Sequence, residues 1–425
     1  MRLTIAAILL ATAAPALAQE QAAEPVAPKP AAVVADGIPD VPQDLVDETR
    51  PYFEYRTAGF SSWDPETRAM YIGTRFGDVA QLHRVASPGA ARTQLTFEAE
   101  PIGGVSVSPG SGDVKLIGKD IGGNEFYQIF RLEDGKLQLL TDGTSRNSIG
   151  AWMPDGSMVA FSSTKRNGRD TDLYLMDPRD PSTTRMLAQR EGGGWFAVDF
   201  TPDGSTALVA NYISVTNIEL YHVDVASGDV TRLTPEGAPV AFGGLQYAPD
   251  GRLWVSSDEG SEFKRLGVFD TDTASFTPMI EEDWDIVGFD ISDDGSTIAY
   301  EVNAAGRSQL KLYDIASGET REVAVPPGSL GGLDFAPWGE LGMTLVSNQG
   351  AADAYSVDPQ TLEMTRWTMS EMGGLDPEAN VLPELIEIQS FDGETMSGFL
   401  YAPDPARHPG PRPLLVNIHG GPEGQ

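Results

Sequence analysis

One short turn recurs seven times between Phe60 and Met372, and its spacing leaves few architectures open. The instances are Trp63-Asp64-Pro65, Ser108-Pro109-Gly110, Met153-Pro154-Asp155-Gly156 and Thr201-Pro202-Asp203-Gly204. Ala248-Pro249-Asp250-Gly251, Ser292-Asp293-Asp294-Gly295 and Ala336-Pro337-Trp338-Gly339 follow. With the proline (or Asp293) as the mark, positions 65, 109, 154, 202, 249, 293 and 337 are 44, 45, 48, 47, 44 and 44 residues apart. Repeats of this length, each with β-rich flanks, suit four short strands arranged radially. Each unit alone exposes both faces of its sheet, and closing the units into a ring buries those faces between neighbours. The reading is a mainly β chain, a seven-bladed β-propeller. An open β-solenoid is the competitor, but its repeats are usually shorter.

The fourth unit displays the four strands. Ala197 to Phe200 is the inner one, and Asp203-Gly204 turns it into Thr206 to Ala210. Asn217 to Asp224 alternates polar and apolar residues, and Ser227-Gly228 turns it into Val230 to Leu233. Pro fixes φ, Asp bonds its neighbour's backbone and Gly accepts positive φ, so the Pro-Asp-Gly turn makes a tight hairpin. Ser317-Gly318 repeats the third hairpin's turn in another unit.

Composition narrows the function classes. The chain carries a net charge of −33, which repels phosphate backbones and anionic membrane surfaces. Nucleic acid is therefore excluded as a partner. The 40% apolar content and seven tryptophans suffice for a packed core. With no cysteine, disulfides, thiol catalysis, cysteine metal sites and a cysteine-linked lipid are all excluded. His83, His222 and His408 stand singly, without a second ligand at metal spacing, and read as structural. The Asp and Gly turns do not match a calcium loop. No metal and no cofactor are expected.

The N-terminus reads as a secretory signal. Arg2 is the positive start, Ile5 to Leu10 the apolar stretch and Ala16-Leu17-Ala18 a small-x-small cleavage site. Pro15 and the polar Gln19-Glu20-Gln21 argue against a membrane anchor, so no membrane contact is expected after cleavage. A secreted protein without cysteine fits a bacterial periplasm.

After Met372 the period ends. Pro383 to Ile388 and Met396 to Tyr401 read as two strands around an Asp392-Gly393 turn. A proline-rich loop follows, then Leu414 to Ile418, a buried strand by composition, running into His419-Gly420-Gly421-Pro422. Such a turn offers bare backbone N–H groups at a strand's end, where an oxyanion can sit. The expected layout is a signal peptide over 1–18, a flexible Ala/Pro-rich leader over 19–44 and a pre-propeller segment over 45–59. The propeller then spans 60–372, a linker 373–382, and the first strands of an α/β hydrolase domain 383–425.

Ser390-Phe391-Asp392-Gly393-Glu394, Gly398 to Pro403 and Pro413 to Gln425 together resemble the start of the catalytic domain of the prolyl oligopeptidase family. The His-Gly-Gly-Pro run is most similar to the acylaminoacyl-peptidase-like branch. The resemblance implies a serine peptidase that cleaves short peptides by acyl transfer, with the propeller as a size filter. It assigns Gly421, then Gly420, to the oxyanion hole and His419 to positioning the turn. No Gly-x-Ser-x-Gly occurs in the chain. The family's serine, aspartate and histidine would follow the His-Gly-Gly turn, so these 425 residues alone are expected to be inactive. It also places the loops between second and third strands opposite the catalytic domain. Lys165, Arg166 and Arg169 lie in such a loop and are candidates for a substrate carboxylate; a solvated loop is the plainer reading. Glu281 and Glu282 resemble the paired acids that hold a substrate's amino terminus in some members. The alternative is a non-catalytic periplasmic propeller that binds or scaffolds. The resemblance implies short-peptide substrates, while oligomeric state and cleavage preference are unassigned.

Overall fold

The computed structural model describes residues 25–237, 239–347 and 349–420. The predicted signal peptide, the first part of the leader and Gly421 therefore lie outside the described residues. The chain divides into two units, residues 1–54 and 55–425. In the first, Val26 bridges Pro42 and a helix spans Gln43–Phe53. Most of this helix falls in the pre-propeller segment expected over 45–59, where no helix was expected. None of its residues is buried.

In the second unit seven sheets of four strands follow one another, each a simple meander of consecutive strands. We number these blades 1 to 7. Their inner strands are Ala58–Asp64, Ser106–Val107, Asn147–Trp152, Trp195–Phe200, Phe242–Tyr247, Ile286–Ile291 and Gly328–Phe335. Inner strands of neighbouring blades lie against each other, and the first also meets the last, so the ring closes. Among the described residues this is the seven-bladed β-propeller that the repeat predicts.

The repeated turn has the expected chemistry. Asp203 accepts from the Ser205 N–H at 3.0 Å and from the Thr201 hydroxyl at 2.7 Å. Gly204 then takes a φ of 69°, which a side chain would resist. Asp155 and Asp294 repeat the bond to the N–H two residues on. A second repeated device went unread in the sequence. Thr96, Thr141, Thr234 and Thr368 each follow a fourth strand, and each hydroxyl accepts a backbone N–H near the head of the third strand. Leu82, Ile129, Leu220 and Ala354 supply those N–H groups at 3.0 to 3.2 Å. The hydroxyl satisfies a donor that has lost its strand partner.

The core consists of seven apolar clusters, one at each joint between blades. Between blades 3 and 4, for example, Ala160, Leu173 and Leu175 pack on Ala197, Phe200 and Val209. Burial of this kind contributes roughly 25 cal/mol per Å2 of apolar surface. The joint between blades 7 and 1 is different, because these two blades are not consecutive in the chain. Three of the seven tryptophans gather there: Trp63 lies 5.1 Å from Trp338 and 5.5 Å from Trp367, both edge-on. Across it Ala58 N–H donates to the Ala352 carbonyl and Phe60 N–H to the Thr344 hydroxyl.

Beyond the ring, strands Glu384–Gln389 and Thr395–Leu400 form a regular antiparallel hairpin around Asp392-Gly393. The expected buried strand over Leu414 to Ile418 is not formed. These residues have irregular backbone, and Leu415 is 91% exposed. A buried strand needs neighbours for its N–H and C=O groups and a cover for its side chains. No described strand pairs with it, so no hydrolase sheet is present among the described residues.

Candidate functional site

In each blade the chain descends the inner strand and climbs the second. Hairpins between strands one and two, and three and four, therefore share one rim. Loops between strands two and three, and between successive blades, share the other. Tyr55 bridges Met372 where the ring's first and last segments meet, at this second rim. The 384–400 hairpin stands on it too: an Arg307 Nη donates to the Pro383 carbonyl at 3.4 Å, and the guanidinium lies 5.5 Å from the Phe399 ring.

The two rims differ in chemistry. Phe76, Phe97, Ile121, Phe126, Tyr127, Tyr212 and Trp284 are exposed on the loop rim, Phe97 by 75%. The hairpins of the opposite rim expose no large apolar side chain among the described residues. Their carboxylates face inward to backbone N–H groups instead. Those hydrogen bonds hold Asp203, Asp224 and Asp314 below the usual carboxylate range.

The predicted basic loop lies on the apolar rim, but most of its charge is spent. Arg166 Nε donates to Asp172 at 2.7 Å and its Nη2 to Asp170 at 3.3 Å; Asp172 is fully buried. Arg169 bonds Asp170 at 3.0 Å. Both arginines brace the loop, and those bonds push both guanidiniums up. Lys165 carries no ion pair among the described residues; its ammonium rests 4.0 Å from the centre of the Tyr174 ring. The spacing of charges in sequence could not reveal which arginine meets a buried aspartate.

Glu281 and Glu282 point to separate partners. Glu282 accepts from Tyr300 Oη at 2.9 Å and from Lys311 Nζ at 2.7 and 2.8 Å, whereas Glu281 faces Arg265 at 3.6 Å. Burial, with the Glu282 carboxylate beside it, pushes the Tyr300 hydroxyl up. Adjacent residues here thus face different neighbours. His419 is exposed, and no atom comes within 4 Å of where a Gly420 side chain would start. His83 is buried with Nδ1 3.0 Å from the Gln81 carbonyl, and His222 Nε2 meets Tyr247 Oη at 2.6 Å. Neither stands among metal-ligating side chains, and the described residues hold no such group.

No family model and no curated protein sequence matches the chain. Solved structures do share its fold. A structure from a study of two prolyl endopeptidases superposes with a TM-score of 0.69 at 16% identity, over 84% of this chain and 56% of that one. Puromycin hydrolase, complexed with PGG, superposes at 0.65 and 18% identity, over 83% of this chain and 59% of that one. Prolyl oligopeptidase B from Galerina marginata, bound to a 35mer hydrolysis and macrocyclization substrate, gives 0.69 at 13% identity, over 84% and 56%. The chain thus spans less than three fifths of the length of these structures.

Proposed function

We propose that this chain is the N-terminal part of an exported serine peptidase of prolyl oligopeptidase type, whose propeller covers the site where short peptides are cleaved. The observation that carries the reading is the apolar loop rim with the 384–400 hairpin seated on it. The architecture around that rim is one that prolyl endopeptidases share over 84% of this chain.

In this reading a serine not among these residues attacks the scissile carbonyl. A histidine accepts its proton and returns it to the leaving amine. The negative charge that develops on the carbonyl oxygen is met by N–H donors of the Gly420-Gly421 turn, with His419 setting the turn's position. One such donor is worth about 100- to 1000-fold in rate. The ring lets only short or unfolded peptides reach the bond, and the exposed rings of Phe126 and Tyr212 offer them apolar contact.

The test is turnover of chromogenic peptides by the protein containing this chain and by residues 19–425 alone. The longer protein should cleave them and lose activity to a serine-directed phosphonate, and residues 19–425 alone should not cleave them. Phosphonate-sensitive turnover by the homogeneous short chain contradicts the assignment. Absence of turnover in the longer protein contradicts the peptidase reading itself. N-terminal sequencing of the exported protein should begin at Gln19.

A further inference from the structure

The loop rim leaves cations unneutralised in a chain with a large excess of acid. Aspartates and glutamates outnumber lysines and arginines by 62 to 29. Elsewhere on the propeller the cations find carboxylates. Lys119 holds Glu98 and Glu100, each at 2.9 Å, and Lys264 holds Asp285 at 3.7 Å. On the hairpin rim Arg179 holds Asp113 at 2.8 Å and Arg252 holds Asp250 at 2.7 Å.

Around blade 3 the pattern reverses. Arg146, Lys165 and Arg190 each set the charged end of the side chain against an aromatic ring. The Arg146 guanidinium lies 5.3 Å from the centre of the Phe126 ring, the Lys165 ammonium 4.0 Å from that of Tyr174 and the Arg190 guanidinium 5.1 Å from that of Trp195. Two of these seats are firm: Tyr174 and Trp195 are buried, and Tyr174 stacks on the buried Phe161 at 5.4 Å. A ring face holds a cation in place without cancelling its charge. Among the described residues the side chains of Lys165 and Arg190 bond no carboxylate; Arg190 Nε donates to the Gln189 carbonyl instead. Arg146 has Glu125 at 3.9 Å with both side chains more than half exposed, a pairing worth little. Asp142, whose charge reaches Lys165, is turned to its own loop, where it accepts the N–H groups of Thr144 and Ser145 at 2.9 and 2.8 Å.

Hydrogen bonds put the three cations on adjoining segments. The Thr164 N–H donates to the Arg146 carbonyl at 3.0 Å, and the Arg146 N–H to the Thr164 hydroxyl at 3.1 Å. Two residues on, Arg166 Nη2 donates to the Arg190 carbonyl at 2.9 Å. Lys165 therefore stands between the segments that carry Arg146 and Arg190. Arg166 and Arg169, engaged with Asp170 and Asp172, frame the loop.

We propose that Arg146, Lys165 and Arg190 form a carboxylate subsite on the loop rim, which gives the peptidase a preference for peptides bearing an acidic side chain or a free C-terminus. The inference rests on the peptidase reading, since it needs a peptide at this rim. The rings keep the cations apart from the protein's own acids, so an arriving carboxylate displaces no strong partner. The rest of this acidic surface repels an anion, which confines it to the patch. An uncharged peptide gains nothing there.

The test is fluorescence anisotropy of the full chain with three pentapeptides of alanine and proline carrying an uncharged dye. One ends in a free carboxylate, one is amidated with an internal glutamate, and one is amidated with glutamine in that place. At about 50 mM salt an anionic peptide should bind at least about tenfold tighter than the neutral one, and the preference should shrink at about 0.5 M salt. Whichever anionic peptide gains identifies the carboxylate that is read. Lys165→Met should cut the preference to about threefold, and Lys165→Arg should keep it. Arg146→Gln with Lys165→Met and Arg190→Gln should abolish it, and Arg252→Gln on the hairpin rim should leave it unchanged. The preference is a ratio taken on one sample, so partial unfolding of a variant does not alter it. Equal binding of anionic and neutral peptides, no binding of any, or a preference that survives the triple substitution overturns the proposal. This binding needs no serine, so a complete protein that binds acidic peptides without turnover removes the peptidase reading and keeps the subsite.

Discussion

The two rims of the propeller are built from the same repeats and meet opposite demands. On the hairpin rim, aspartates satisfy the backbone of tight turns and, among the described residues, no large apolar side chain is exposed. On the loop rim, aromatic side chains stand in solvent beside the C-terminal hairpin. A turn that needs only to reverse the chain converges on one solution, Pro-Asp-Gly. A loop that needs to meet something else varies in length and is apolar. Exposed apolar surface confined to one side marks an interaction face.

Four variants can break or sharpen this contrast. The largest effect belongs to an exception on the loop rim, the buried Asp353, which binds Thr368 and Ser370 at 2.6 Å, meets Arg366, and faces the buried Arg92 at 3.6 Å. Asp353→Ala strands Arg92 and should cost about 3–5 kcal/mol in urea unfolding, because a buried charge loses its partner. Arg166→Met should also lower the urea midpoint, since Asp172 loses its ion pair. KM for peptides should stay within about twofold in the complete protein; a large KM rise would restore Arg166 to substrate binding. Asp294→Ala, on the hairpin rim, should cost about 1 kcal/mol without touching activity. The smallest effect on stability belongs to Phe97→Ser with Phe126→Ser, within about 0.5 kcal/mol. That pair should nevertheless cut peptide turnover and dye binding to the rim. If it instead unfolds the chain, the loop rim is core and the contrast fails.

Titration separates the same regions. Hydrogen bonds depress Asp203, Asp294 and Asp314, so their contribution is present above the ordinary carboxylate range and is lost as pH falls through their lower folded values. Asp199, half-buried among the inner strands, is pushed up to about 6 by desolvation, and its contribution weakens as pH rises to that value. Stability should therefore peak in mildly acid solution. A plateau from about pH 4 to about pH 9 would contradict both assignments.

How much of this was legible in the residues follows from range. The turn at Asp203-Gly204 is local chemistry, so seven repeats gave seven blades, and Asp392-Gly393 gave the hairpin. The Leu-Thr pairs at 95–96, 140–141 and 233–234 were equally visible, and their role needed only the count from the fourth strand back to the third. What could not be read was pairing across distance. Arg166 finds Asp172 because the loop folds back, and Glu282 finds Lys311 in the next blade. The helix Gln43–Phe53 was missed because its apolar stripe, Leu45, Val46, Tyr52 and Phe53, spans only two turns and Pro51 sits inside it. Leu414 to Ile418 has a strand's composition without a partner to make it one.

The central claim is that the loop rim, and not the hairpin rim, meets the peptide. A short peptide phosphonate carrying a photoreactive side chain, bound to the complete protein and irradiated, tests it directly. Crosslinks should map to the loops holding Phe126, Lys165 and Tyr212. Crosslinks to the hairpins holding Asp155, Asp203 and Asp294, or to none of the ring, would contradict it.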